Sequence, residues 1–259
     1  MPFLELGDGQ LYYDVTGAKN APVLLFSNSL GTNLGMWNPQ LSALAGDFRI
    51  LRYDTRGHGK SSVTPGPYTV QQLADDVLLL LDKLSIDRVH FCGLSMGGMT
   101  GMSLAFRAPQ RLIKLVLCNT APRIGSAEVW NSRIETVRKG GMQAVVDGVL
   151  DRWFTPTFRS ASPSSIESTR QMLLNTPVEG YIASCAAVRD MDARESISRI
   201  RVPTLIICGT HDPVVSISDN HFMEQTIFGA QYKELPAGHL SNIEAAQAFT
   251  MELSRFLNA

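Results

Sequence analysis

Gly93-Leu94-Ser95-Met96-Gly97 sets a serine between two glycines, directly after an apolar run. Residues 88–94 read as a short buried strand and residues 96–107 as a helix, so Ser95 falls on the turn between them. A turn this sharp strains the backbone and crowds its flanks, so only residues with little or no side chain fit beside the serine. In return the hydroxyl stands clear of the sheet edge, beside a helix N-terminus whose free N–H groups can bind an oxyanion.

A serine hydroxyl is a weak nucleophile at neutral pH and requires a base, and that base requires a group to orient it. Five histidines are available: His58, His90, His211, His221 and His239. His90 lies within a predicted buried strand and reads as a core or sheet-face residue. His58 belongs to the turn Arg56-Gly57-His58-Gly59-Lys60, where loop capping or packing is its expected role. His221 falls on a helix and reads as solvated. His239 differs, because Pro236-Ala237-Gly238-His239-Leu240 is a small-residue loop between a strand and the last helix. Asp212 sits in a comparable strand-end loop, Cys208-Gly209-Thr210-His211-Asp212-Pro213, and the following proline argues against an ordinary helix-cap role. The chain order Ser95, Asp212, His239, each at the C-terminal end of a predicted strand, matches the α/β-hydrolase arrangement.

The rest of the chain agrees. Its 259 residues suffice for one large domain, and 44% hydrophobic residues can fill its core. A net charge of -1 gives no electrostatic reason to expect nucleic acid or acidic membranes as partners. No run approaches the roughly 18 apolar residues of a membrane span, and Met1-Pro2-Phe3-Leu4-Glu5 lacks the features of a signal peptide. Cys92, Cys118, Cys185 and Cys208 are too far apart to suggest a metal site, and a reducing cytoplasm is expected.

Predicted strands at residues 3–6, 11–15, 22–27, 48–53, 88–94 and 112–119 give way to helices, notably at 70–84. The first two strands, joined by Gly7-Asp8-Gly9, read as a hairpin. Residues 121–199 contain helical patterns and no strand-like run, as expected of a helical cap inserted between sheet strands. The sheet resumes with strands at 203–208 and 231–235, a helix near 216–228 and a closing helix at 242–257. The expected organisation is therefore a mostly parallel α/β core formed by residues 1–120 and 200–259, with a cap at 121–199.

An oxyanion hole needs a second donor from the loop after the third strand, Phe26-Ser27-Asn28-Ser29-Leu30-Gly31-Thr32-Asn33. The backbone N–H of Leu30 is the candidate, paired with that of Met96. Many hydrolases of this architecture carry His-Gly where this chain has Asn28-Ser29, so the loop must be oriented differently here.

With Ser27-Asn28-Ser29-Leu30-Gly31-Thr32, Tyr53-Asp54-Thr55-Arg56-Gly57-His58-Gly59, Gly93-Leu94-Ser95-Met96-Gly97-Gly98 and Ala237-Gly238-His239-Leu240-Ser241-Asn242, the chain resembles the 3-oxoadipate enol-lactonases of the α/β-hydrolase superfamily. Trp130-Asn131-Ser132-Arg133-Ile134 and Trp153-Phe154-Thr155-Pro156 share in the resemblance, which spans nearly the whole chain. It implies a bacterial cytoplasmic enzyme of protocatechuate and catechol breakdown that opens the enol-lactone to 3-oxoadipate. No metal or organic cofactor is required. The implied substrate is a small acidic lactone whose free carboxylate needs a partner. Arg133 is the candidate, because its planar fork matches a carboxylate. Trp130 and Trp153 could supply an apolar wall with N–H handles. A general carboxylesterase or a cofactor-free perhydrolase would carry the same triad, and a ligand-binding receptor could keep the fold. The oligomeric state is not legible in the sequence.

Overall fold

A computed structural model describes residues 3–259. Met1 and Pro2, assigned by sequence to the core and to a leaderless N-terminus, lie outside the described residues. Eight strands, β1 (Phe3–Glu5), β2 (Gln10–Thr16), β3 (Val23–Ser27), β4 (Arg49–Tyr53), β5 (Val89–Leu94), β6 (Leu112–Cys118), β7 (Thr204–Gly209) and β8 (Gln231–Leu235), form one sheet in the order β1-β2-β4-β3-β5-β6-β7-β8. β2 runs antiparallel to both neighbours, β1 and β4, whereas β3 through β8 pair in parallel. Every residue of β5 and β7 is buried, as expected of central strands covered on both faces. The hairpin between β1 and β2 closes through the Leu6 N–H donating to the Gly9 carbonyl, with Gly7 at φ 93°.

Among the described residues eleven α-helices are interspersed: α1 (Asn38–Leu44), α2 (Val70–Lys83), α3 (Met96–Arg107), α4 (Ala127–Gly140), α5 (Val146–Trp153), α6 (Pro156–Ala161), α7 (Pro163–Leu174), α8 (Val178–Asp190), α9 (Ile217–Thr226), α10 (Ser241–Glu244) and α11 (Ala246–Asn258). The 3.6-residue apolar period of α2 buries Leu73, Val77, Leu80 and Leu81, and the Thr69 hydroxyl caps its N-terminus through the Gln72 N–H. α4 to α8 all lie between β6 and β7. Trp130, Ile134, Leu150, Trp153, Leu173 and Tyr181 from this stretch join the same apolar cluster as Phe26, Leu94, Met96 and Leu240. All four cysteines are free and buried. Among the described residues no helix is long and apolar enough to cross a membrane.

The closing helix departs from expectation. It breaks at Ala245, at φ −112° and ψ 42°, into α10 and α11. At the break the Glu244 carboxylate accepts hydrogen bonds from the Gly238 N–H, the Thr155 N–H and the Thr155 hydroxyl. These distant partners hold the end of α10 against the loop after β8, which the alanine-rich sequence around residue 245 does not announce.

Strand register decides where the chemistry sits. Ser27 pairs with Gly93, Leu94 with Cys118, and Gly209 with Leu235. The loops after β3, β5, β6, β7 and β8 therefore leave from one edge of the sheet. The chain turns outward from β3 to β4 and returns to β5 on the other side, so the crevice of this doubly wound sheet opens where β3 and β5 end.

Candidate active site

Ser95 has φ 56° and ψ −116°, a conformation that costs a non-glycine residue about 1–3 kcal/mol. The structure explains its flanks. A Cβ on Gly93 would lie within 3.0 Å of the Gly97 carbonyl, and one on Gly97 would collide with the Ser27 carbonyl. Gly98 is closed off by the Thr120 side chain. The strained turn is held by the Ser95 N–H donating to the Cys118 carbonyl (2.9 Å) and the Thr120 hydroxyl donating to the Ser95 carbonyl (2.8 Å). Met96 opens α3, whose N-terminus carries no side-chain cap, so its first N–H groups are free of a side-chain acceptor.

His239 and Asp212 meet across 27 residues of sequence, with Nδ1 to Oδ2 at 2.8 Å and both side chains almost fully buried. An ionised carboxylate only accepts, so Nδ1 carries the proton and Nε2 keeps its lone pair. Asp212 is saturated with donors. Its Oδ1 accepts from the N–H groups of Val214 (2.7 Å) and Val215 (3.2 Å), and its Oδ2 also accepts from Asn119 Nδ2 (3.0 Å). Burial pushes the carboxyl up, but the charge and hydrogen bond of His239, with those of Asn119 and Val214, outweigh it and hold the group below the usual range. Asn119 was not found from sequence. It follows β6 at φ 43°, donates to Asp212 and the Gly238 carbonyl, and accepts from the Ser241 hydroxyl at 2.5 Å. Its only sequence signal is a polar residue closing an apolar strand.

Facing this edge is a cavity of about 200 Å³. Its lining brings together Ser95, His239, Leu30, Trp130, Arg133 and Trp153, with Arg152, Tyr181 and several aliphatic side chains. Asp212 lies behind His239, and Met96 follows Ser95 at the head of α3. The Trp153 indole stacks on the His239 ring at 6.4 Å and 29°. Trp130 forms part of the wall, but its expected N–H handle is used up, because Nε1–H donates to the Ile124 carbonyl at 2.6 Å. The Arg133 guanidinium lies 5.3 Å from the centre of the Trp130 ring.

Arg152, which sequence reasoning passed over, is the second guanidinium in this cavity. No Asp or Glu lines it, and among the described residues neither Arg133 nor Arg152 forms an ion pair. Burial, and then the positive charge of Arg133, pull Arg152 below its ordinary pKa. Two mutually repelling cations without a carboxylate make this end of the cavity receptive to an anion.

The loop after β3 is oriented without a His-Gly pair. Asn28 accepts from Trp37 Nε1–H (2.9 Å) and donates to the Tyr53 carbonyl (2.7 Å). The Ser29 N–H points at Met36 Sδ, and the Ser29 carbonyl accepts from both the Thr32 N–H and hydroxyl. Among the described residues the Leu30 N–H has no acceptor, although the N–H groups of Ser29, Gly31 and Thr32 all do.

His90, His221 and Arg56 do not line the cavity. His90 is buried edge-on to Phe48, and His221 is part-exposed and pairs with Glu224. Arg56 turns away to make a two-pronged pair with Asp76 (2.6 Å each), anchoring the loop after β4 to α2.

A family model described as the alpha/beta hydrolase fold matches residues 22–246. The chain belongs to the α/β-hydrolase family. This hydrolase is 42% identical to 3-oxoadipate enol-lactonase 2 of Acinetobacter baylyi, over 93% of this chain and 91% of that one. It is 41% identical to 3-oxoadipate enol-lactonase 1 of the same organism, over 96% and 93%. The crystal structure of the enol-lactonase from Burkholderia xenovorans LB400 superposes on the hydrolase with a TM-score of 0.98 at 47% identity, covering 100% of both chains.

Proposed function

We propose that this hydrolase opens 3-oxoadipate enol-lactone to 3-oxoadipate through an acyl-enzyme on Ser95. The observation that carries the reading is the cavity's polarity: a serine and a histidine at the sheet edge, and two guanidiniums without a carboxylate partner among the helices over it. A small lactone bearing one free carboxylate suits both ends. Identities of 41–47% to enol-lactonases over nearly the whole chain support the same substrate.

In this mechanism His239 Nε2 takes the Ser95 proton as Oγ attacks the lactone carbonyl. Asp212 holds the ring with Nδ1–H toward itself and stabilises the imidazolium. The carbonyl oxygen becomes an oxyanion between the N–H groups of Met96 and Leu30, each worth about 3 kcal/mol in the transition state. Collapse breaks the ring C–O bond and expels an enolate, far less basic than an alkoxide. Its ketonisation, with a proton returned from His239, makes ring opening effectively irreversible. Water deprotonated by His239 then attacks the acyl-enzyme and frees the second carboxylate of the product. Trp153 stands beside His239 in the cavity wall, with ring centres 6.4 Å apart. The chemistry draws on no metal or organic cofactor.

Arg133 and Arg152 together receive the carboxylate that the substrate keeps. Arg133→Gln and Arg152→Gln are each expected to raise KM for the acidic lactone by about 10- to 100-fold, the scale of a lost charge-assisted hydrogen bond. Turnover of a neutral ester such as 4-nitrophenyl acetate should change less than about threefold, since uniform binding of a remote charge is what is lost. Steady-state kinetics on the two substrates checks this. Equal losses on both would place the arginines in the fold rather than in carboxylate binding. A general carboxylesterase would prefer the neutral ester outright.

A further inference from the structure

We propose that His58 is a positioning residue for the oxyanion hole, taking the place of the His-Gly pair that orients the corresponding loop in many hydrolases of this architecture. The inference rests on the reading of Ser95 as nucleophile and of the Leu30 N–H as oxyanion donor.

A peptide N–H is aimed by its own carbonyl, because the two point in opposite directions across a trans peptide. For Leu30 that carbonyl belongs to Ser29, and the Thr32 N–H (3.2 Å) and hydroxyl (2.7 Å) pin it on one side. The N–H is thereby turned to the other side, where Leu30 lines the cavity. One pinned end leaves the plane free to swing about it. The second fixed point is the next peptide, where the Gly31 N–H donates to His58 Nε2 at 2.9 Å. Gly31 has φ 80°, and a Cβ there would strike Leu173 and Tyr181, so the residue is a glycine pressed between the loop and the helices above. Its carbonyl accepts from the Thr176 hydroxyl (3.2 Å) at the end of α7. His58 therefore grips the peptide between the oxyanion donor and Gly31, the residue that meets the covering helices.

The imidazole is built as an acceptor. Nδ1 lies 3.1 Å from the Arg56 carbonyl, which can only accept, so Nδ1 bears the proton and Nε2 the lone pair that Gly31 uses. His58 is completely buried, and burial pulls its pKa down to about 4, so the neutral ring persists at physiological pH. Its own turn is rigid. His58 N–H donates to the Thr55 carbonyl, Gly57 N–H to the Ser62 carbonyl, and the backbones of Gly57 and Gly180 meet so closely that neither tolerates a side chain.

The test uses 4-nitrophenyl acetate, so its outcome does not depend on the natural lactone. His58→Phe keeps the ring volume and removes the acceptor, whereas His58→Gln restores an acceptor oxygen near Nε2. Displacing an oxyanion donor costs less than deleting one, so His58→Phe should lower kcat by about 10- to 100-fold with KM within about twofold. Inhibition by a trifluoromethyl ketone, whose serine adduct places an oxyanion in the hole, should weaken by the same factor. His58→Gln should stay within about fivefold of wild type on both readouts. Unchanged kcat and inhibition in His58→Phe would overturn the proposal, as would equal losses in both variants. If His58→Phe fails to fold, long-range 1H–15N NMR of the wild-type imidazole decides. A neutral ring protonated at Nδ1 agrees, and one protonated at Nε2 contradicts it.

Discussion

Ser95→Ala is expected to lower kcat for lactone opening by about 10⁵- to 10⁶-fold while leaving KM and the melting temperature nearly unchanged. Covalent catalysis is lost with the hydroxyl on the strained turn between β5 and α3; Ser29, the other serine lining the cavity, lies on the loop after β3. The residual rate would come from the N–H groups of Met96 and Leu30 acting on a water-attacked carbonyl. The fold should tolerate the change, since the backbone bonds to Cys118 and Thr120 hold the turn and the Ser95 side chain caps nothing. Progress curves at high enzyme concentration, with circular dichroism melts alongside, would measure both quantities. A loss under about 100-fold would remove Ser95 from the chemistry.

Asp212→Asn should cost about 10⁴-fold in kcat, and the structure gives the reason. Oδ1 accepts from two backbone N–H groups, so the amide oxygen of the introduced side chain must occupy that position. The amide NH₂ is left at the Oδ2 position, facing Asn119 Nδ2 and His239 Nδ1. A donor there forces Nδ1 to accept, which moves the imidazole proton to Nε2, where it can no longer take one from Ser95. The clash of that NH₂ with the Asn119 amide, donor against donor, adds strain on the same loop. A pH–rate profile with imidazole NMR of the variant would show whether the tautomer has changed. Activity within tenfold of wild type would mean that Asp212 does not orient the base.

Ser95 was legible in the sequence because its main signals are local: the apolar strand before it, the helix after it, and a glycine at 93 forced by Gly97 four residues on, although Gly97 itself is forced by Ser27 on another strand. Asp212 and His239 were legible through chain order at strand ends, a property of the parallel sheet rather than of either residue. Asn119 and Arg152 were not, for a physical reason. Asn119 acquires its role from residues 212, 238 and 241, and Arg152 from sharing with Arg133 a cavity whose lining holds no acid, and neither condition leaves a periodic mark. The sequence reads His58 as a loop-capping residue, and its hydrogen bonds agree, but what it caps is set by a contact with residue 31 on another loop. The break at Ala245 hid for the same reason, since Glu244 answers to Thr155 and Gly238.

The most direct test of the central claim is the turnover of freshly generated 3-oxoadipate enol-lactone by the wild-type enzyme, followed by loss of its ultraviolet absorbance beside Ser95→Ala. The account predicts rapid turnover that vanishes in the variant, with a kcat/KM at least about 100-fold above that for a neutral ester, given two guanidiniums reserved for the carboxylate. Turnover no faster than the variant's, or a preference for the neutral ester, would contradict it.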